Sequence, residues 1–488
     1  MRFVSTPPFA SSLLEAMRAF GYSFETAIAD LVDNSIAAAA NKVDIYFPPT
    51  NEPYVALIDN GKGMSPANLA LAMRHGTRNP LEARAEHDLG RFGLGLKTAS
   101  LSQARRLTVI TKQDSTVAGA EWDLDEVSRR DDWALLELEA SDFEQVPKFQ
   151  ELRLLESGTL VVWRVLDRAL AGESSPFKAL QNHIDRARMH LALVFHRYLE
   201  GAQPDLRISI NGLAVAPFDP FLRFLPGRQA MPPEVLNVSG HRVRIEAHIL
   251  PHVSKLTAAE VTQAGGEEGL RRNQGFYVYR NRRLVIWGTW FRLARQEEMT
   301  KLARVIVDIP NTLDHLWSLD VKKSTAHPPE QVRQALKQIV DRIADRSRRV
   351  YSFRGNPTPN VGLVPTWQRI ELRGGRFRYV VNRGHGLFNA LRQIVPEGDG
   401  LLLERFLQVV EDSFPYDAAY ADMAADRQPG ADATDAEVEE RLRDTASRLL
   451  AALDDLPEAR AATLNQLELL EPFCKHPKIT ARIKEEFS

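Results

Sequence analysis

The chain has 488 residues, 44% hydrophobic and 26% charged, with a formal net charge of −2. That length supports two to four domains with a sizeable core, and the near-neutral balance excludes a whole-chain excess of basic charge, leaving only a local basic patch open. The single cysteine, Cys474, excludes a disulfide within the chain and points to a reducing compartment.

The opening "MRFVSTPPFASSLLEAMRAFG" lacks the apolar core of a signal peptide, and no run of about 18 apolar residues suits a membrane span, so cytoplasm is the expected location. Residues 11–20 predict a short helix closed by Gly21. Ser23 caps a second helix over about 24–40, with apolar positions at 24, 27, 28, 31 and 32. "KVDIYFPP" and "YVALIDNGKGM" read as strands, the second entering a glycine turn, and "PANLALAMRHG" reads as a helix. Residues 76–90 are polar and glycine-flanked, the composition of a mobile loop. Strands follow at "RLTVITKQ", "GAEWDL" and "GTLVVWRVL", then a long helix over about 178–199.

"RISINGLAVAPFDPF", "HRVRIEAHILP", "GFYVYRNRRLVIWG" and "ARVIVDIP" predict strands of a second α/β domain, with helices at 289–302 and 328–350. Beyond 350, "ELRGGRFRYVVNRGH" is strand-like. The remainder is mostly helix, broken by the linker-like "MAADRQPGADATDAE". The expected division is 1–205, 206–350 and 351–488.

Three separated segments carry candidate chemistry. In "ADLVDNS", Asp30 and Asn34 stand one helical turn apart on one face, where a carboxylate and an amide oxygen suit a water and a hard cation such as Mg²⁺. A solvated polar stripe fits the same pattern. In "LIDNGKGMS", a strand delivers Asp59 into a turn where Gly61 and Gly63 permit positive φ and close backbone approach. A semi-buried carboxylate only accepts hydrogen bonds, so it suits the amine of adenine and disfavours the carbonyl of guanine; an ordinary turn is the alternative. In "GRFGLGLKTAS", Gly90, Gly93 and Gly95 precede a helix start near Leu96. That is an anion-binding arrangement or a plain tight turn, and it is neither a P-loop nor G-x-G-x-x-G.

In order and spacing, these segments resemble the GHKL ATPases (gyrase, heat-shock chaperones, histidine kinases and MutL), most closely the MutL and MORC branch. There the helix motif is similar to "ELVDNS-DA", the turn to "DNG-GM", and the lid end to "GRFGLGLK". The resemblance covers about residues 10–205 and implies a Bergerat-type α/β sandwich that binds ATP and Mg²⁺. It implies Asp30 as the base that polarises the attacking water, at a position usually held by glutamate, with Asp33 as the alternative; a surface or capping contact is the ordinary role for Asp33. It implies Asn34 as the Mg²⁺ ligand, Asp59 on the adenine amine, and Gly61, Gly63 and Met64 lining the base pocket. Thr159 in "SGTLVVW" would help hold the base through water. Residues 75–95 would form a lid, with Gly93, Leu94, Gly95, Leu96 and Lys97 at the phosphates.

The second domain resembles the S5-like transducer of that family: "GFYVYRNRRLVIWG" is similar to a "YVNGR" strand and "LWSLDVKKSTAHPP" to a "VDVNVHPTK" segment. A lysine from the latter reaches the γ-phosphate in relatives, which marks Lys322 and Lys323, with Lys323 preferred. Arg271, Arg272, Arg280, Arg282, Arg283, Arg292 and Arg295, interleaved with Phe276, Tyr277, Tyr279, Trp287 and Trp290, fit a DNA-phosphate surface or solvated arginines beside a buried core. His183, His190 and His196 have poor spacing for one metal.

The implied activity is a slow ATPase whose ATP-dependent homodimer acts on DNA or a DNA-processing partner, in a restriction or phage-defence setting. The alternatives are a chaperone clamp and a nucleotide sensor without turnover.

Overall fold

The computed structural model describes residues 3, 8–19, 21–48, 52–75, 95–172, 175–225, 227–251, 253–265, 269–297, 300–314, 316–317, 328–352, 364–371, 377–396, 398–424, 434–451, 453 and 457–487. The chain divides into two compact units, Met1–Ala344 and Asp345–Ser488.

The first unit begins with helices α1 (Ala10–Arg18) and α2 (Phe24–Ala37), followed by strands β1 (Lys42–Tyr46) and β2 (Val55–Asp59). Helices α3 (Pro66–Met73) and α4 (Gly95–Leu101) come next, then β3 (Arg106–Gln113), β4 (Thr116–Asp123), β5 (Leu136–Leu138) and β6 (Gly158–Arg164). A helix over Pro176–Val194 leads to β7 (Arg207–Ile210) and β8 (Leu213–Ala214). These strands make one sheet in the order β5-β4-β3-β6-β2-β1-β7-β8, in which only β1 and β7 run parallel.

The period of two along each strand sorts the side chains. Val55 and Leu57 of β2, Leu107 and Val109 of β3, and Val161 and Trp163 of β6 face the helical layer that includes α2. Ala56 and Ile58, Ile110, and Leu160 and Val162 face a second core with Phe143, Phe149 and Leu152. By that alternation Asp59 falls on the helical side, below α2.

A second sheet holds β9 (Gln229–Ala230), β10 (Glu234–Val238), β11 (His241–Ile249), β12 (Gly275–Arg280), β13 (Arg283–Thr289) and β14 (Ala303–Ile309), in the order β10-β11-β14-β12-β13 with β9 on β11. Its core takes in Val243, Phe276, Val305 and Trp317, closed by Leu336 and Ile343 of a helix over Glu330–Ser352. Tyr277, Tyr279, Leu284 and Ile306 join the core of the first sheet instead, so the two sheets share one packed body. The second unit pairs β15 (Trp367–Glu371) with β16 (Phe377–Val381) and is otherwise helical. The α/β class with a mostly helical C-terminal region is the one read from the sequence.

Four local expectations differ. Helix α2 ends at Ala37, and Ala39 turns left-handed (φ 59°). The predicted 178–199 helix breaks at Phe195 into Pro176–Val194 and His196–Leu199. The "RISINGLAV" strands extend the first sheet, because Ile208 and Ile210 are buried in its core. The described part of 289–302 contains no α-helix. Phe291 and Arg292 are left-handed (φ 49° and 61°), and Trp290 is drawn into the second core with its Nε1 donating to Gln274 Oε1 at 3.1 Å. No described helix is long and apolar enough to cross a membrane.

Candidate functional site

The ends of three adjacent strands place a polar row under α2. Asp59 pairs across the ladder with Thr159, and Thr159 with Thr111. Asp59 is 4% exposed. Its Oδ1 accepts from Gly61 N–H at 2.9 Å and its Oδ2 from Ser35 Oγ of α2 at 2.9 Å. Burial pushes the Asp59 carboxyl above the usual carboxylate range, opposed by the hydrogen bonds from Gly61, Ser35 and the Thr159 backbone.

The turn after β2 is locked on all sides. Gly63 is left-handed (φ +68°), and a Cβ there would lie 2.1 Å from Lys112 O, so only glycine fits. Gly61 does not need positive φ; it is required because a Cβ would meet Ala38 Cβ at 2.8 Å. Met64 N–H donates to Thr111 Oγ1 at 2.9 Å, and Ser157 Oγ donates to Gly61 O at 2.7 Å. Thr159 Oγ1 stands 3.4 Å from Thr111 Oγ1.

Helix α2 supplies the second edge. Ser23 caps it, accepting from Thr26 N–H at 3.4 Å. Asp30 is buried; Tyr22 OH donates to its Oδ2 at 3.0 Å. A Cβ at Gly95, the first residue of α4, would lie 3.5 Å from that same Oδ2. Thus α2 meets the Asp59 turn through Ser35 and the start of α4 through Asp30. Asn34 is exposed, and its side chain has no hydrogen-bond partner among the described residues, so its amide oxygen is available to a hard cation.

Asp33 differs from its expected surface or capping role. It is 2% exposed, and Arg283 Nε of β13 donates to its Oδ1 at 2.7 Å. A carboxylate enters a core only with such a partner; removing one member of a buried pair costs about 3–5 kcal/mol.

Lys97 is buried rather than exposed at a helix start. Its Nζ donates to Ala72 O at 2.6 Å, near the C-terminal end of α3, and burial pushes its pKa down to about 8. His75 packs against Trp122 and Trp133 (ring centroids 5.3 and 5.4 Å), and burial, with the Lys97 charge, lowers it to about 4.

Residues 22–159 match the family described as Histidine kinase-, DNA gyrase B-, and HSP90-like ATPase. This segment is of the GHKL type. It resembles the MORC and MutL branch: over 93 residues the chain is 34% identical to "ATPase morc-1" of Caenorhabditis elegans (19% of this chain, 10% of that protein). It is 30% identical over 96 residues to "DNA mismatch repair protein MutL" of Agrobacterium fabrum (20% and 16%), and 28% identical over 95 residues to "ATPase MORC2" of Homo sapiens (19% and 9%). The chain therefore spans at most 16% of the length of these three relatives. A solved structure, "Crystal Structure of N terminal domain of a DNA repair protein", is 16% identical with a TM-score of 0.42, covering 68% of this chain and 98% of that one.

Of the candidate site residues read from the sequence, Asp30, Asn34, Asp59, Gly61, Gly63, Met64, Gly95, Leu96, Lys97 and Thr159 are described; Gly90, Gly93, Leu94, Lys322 and Lys323 lie outside the described residues. The sequence reading missed Tyr22 and Ser35 as partners of Asp30 and Asp59, and Thr111 as the floor of the turn. Ser35 was within reach of pattern, standing four positions after Leu31 and seven after Ile28 on the buried face of the same helix. Of the arginines proposed for a DNA surface, Arg280 and Arg283 are buried, Arg280 with Asp314 (2.8 and 2.9 Å); Arg271, Arg272, Arg282, Arg292 and Arg295 are exposed. Phe276, Tyr277, Tyr279 and Trp290 face the cores, so they offer no stacking platform beside those charges. His183 Nε2 bonds Ala169 O at 2.8 Å and His196 Nε2 bonds Tyr279 OH at 2.7 Å.

Proposed function

We propose that this chain is a MutL/MORC-like ATPase with the three-part organisation 1–205, 206–350 and 351–488 read from the sequence, the first boundary moved past β8 (Leu213–Ala214), which belongs to the first sheet. In this reading Mg-ATP binding closes the segment 75–95 over the phosphates and drives pairing of two N-terminal domains. Slow hydrolysis then resets a switch acting on DNA or a DNA-processing partner, in a restriction or phage-defence setting. The observation that carries the reading is the meeting of α2 with both distant segments: Ser35 on Asp59 at 2.9 Å, and Asp30 beside Gly95.

The roles follow from the chemistry of each group. Asp59 accepts from the adenine amine, Gly63 and Met64 shape the base pocket, and Thr159 holds the base through water. Asn34 holds the cation, which supplies charge neutralisation at the phosphates. Asp30 takes a proton from water. Aspartate in place of glutamate retracts the carboxylate by about 1 Å, and such a shift costs on the order of a hundredfold in rate. Gly93, Leu94, Gly95, Leu96 and Lys97 contact the phosphates, and Lys323 reaches the γ-phosphate.

One observation supports a second reading, a sensor that binds ATP without turnover: Tyr22 occupies Asp30 Oδ2. Turnover of ATP by the full chain with Mg²⁺ or with EDTA, beside Asp30→Asn, separates the two. Metal-dependent turnover that falls at least about a hundredfold in Asp30→Asn with binding retained supports the ATPase. Binding without turnover supports the sensor.

A further inference from the structure

The β12–β13 hairpin carries a feature the nucleotide reading has not used. Its two turn residues, Asn281 and Arg282, are both left-handed (φ 48° and 68°), the geometry of a tight two-residue hairpin. Arginine is a poor residue for that conformation, which disfavours any side chain with a Cβ. The turn is held from outside. Arg282 pairs with Asp205 at 2.6 Å, its guanidinium lies 4.7 Å from the Tyr198 ring centre, and Tyr198 OH donates to Asn281 O at 2.5 Å. Strain fastened this firmly marks a place where the position of the next residue matters.

That next residue is Arg283. It is 5% exposed and aims its guanidinium at α2: Nε to Asp33 Oδ1 at 2.7 Å, and Nη2 4.0 Å from Asp30 Oδ1. Asp30 and Asp33 are three residues apart, so one planar fork addresses both. Phe195, with its ring centre 5.5 Å from the guanidinium, adds an apolar wall. Tyr22 fixes the other oxygen of Asp30, so the carboxylate is held from two directions, with Gly95 beside it.

We propose that Arg283 is a positioning residue for ATP turnover: through Asp33 and Asp30 it sets the orientation of the base, and so makes hydrolysis depend on the docking of the second sheet. In this role it acts through its contacts with Asp33 and Asp30 and not directly on substrate or cation. The inference rests on the reading of Asp30 as the base.

The test compares Arg283→Met, Arg283→Lys and the double variant Asp33→Asn/Arg283→Met in the full chain. The double variant removes the closely bonded Asp33–Arg283 pair together, so that neither of these two is left buried without the other, while Asp30 loses its more distant cation and keeps the Tyr22 hydroxyl. ATP affinity is read by calorimetry, turnover by phosphate release, and folding by thermal unfolding. The expected result is a kcat lowered about ten- to a hundredfold in the folded double variant, with ATP affinity within about threefold of the parent. Arg283→Lys, which keeps the charge without the fork, falls between them. Equal losses in affinity and turnover mean a structural role and overturn the proposal, as does a folded double variant with parental kcat beside an inactive Asp30→Asn. A parent without turnover, or an Asp30→Asn with full turnover, removes the reading beneath the inference and the inference with it.

Discussion

The two ends of the candidate nucleotide site are built on different plans. The base end is local: Asp59, Gly61, Gly63 and Met64 lie within six positions, and the neighbouring strands bring Thr159 and Thr111 to them by ladder register alone. The phosphate end is assembled from afar: Asp30 is flanked by Tyr22, by Gly95 and by Arg283, 253 positions downstream in the chain. A local site is as stable as its sheet, whereas an assembled one responds to whatever moves its contributing elements. Under the proposed reading, the base end would be preformed while the phosphate end would depend on the arrangement of the elements that flank Asp30.

The largest effect that would break this comparison is at Asp59. Asp59→Asn replaces the acceptor proposed for the adenine amine by an amide that can present a donor, and the expected ATP affinity falls on the order of a thousandfold by calorimetry. Unchanged affinity would place the adenine elsewhere. Second in size is Gly63→Ala. With φ +68° and Lys112 O 2.1 Å from the new Cβ, the turn must move, at a cost of about 2–4 kcal/mol in thermal or urea unfolding. A loss below about 0.5 kcal/mol would mean the turn is soft.

The base end was legible in the sequence because its determinants are consecutive: "LIDNGKGM" states strand, carboxylate and turn in eight letters. The helix carrying Asp30 was equally readable from its cap and apolar spacing. What sequence could not give is the partner of Asp33. A buried carboxylate and a surface one look alike along a helix until the cation that pairs with it is placed, and Arg283 is 250 positions away. The same blindness made the aromatic and basic β12–β13 stretch read as a possible surface, when tertiary packing turns its aromatics and two of its arginines inward. The 289–302 helix failed because helical spacing there competes with the burial of Trp290.

A smaller effect sharpens the role of burial at Asp59. Its carboxyl lies above the ordinary value of about 3.9, so between that value and the raised one the folded state holds a proton the unfolded state has released. Folding stability therefore falls as pH rises through that window, while ATP affinity, which needs the ionised carboxylate, rises through it. Ser35→Ala removes a hydrogen bond that lowers Asp59, so the midpoint of ATP affinity against pH moves upward, costing up to about tenfold in affinity on the acid side. A midpoint that stays put or moves down would detach Ser35 from the site.

The smallest effect reads the phosphate end through Lys97. Burial holds this lysine at about 8, against about 10.4 in an unfolded chain, and its ammonium sits on Ala72 O. A triphosphate beside it favours the charged form and moves the value back up. At pH 8.5–9 the free protein then carries Lys97 largely neutral and the complex carries it charged, so binding takes up roughly half a proton or more; near pH 6.5 it takes up none at this group. Calorimetric binding enthalpies in two buffers of different ionisation heat measure that uptake, and Lys97→Met abolishes it. If uptake near pH 9 is absent, or survives in Lys97→Met, the lysine remains fastened to α3 when nucleotide binds. It is then part of the scaffold that sets the start of α4, and the phosphates are held without it, by backbone, cation and Lys323.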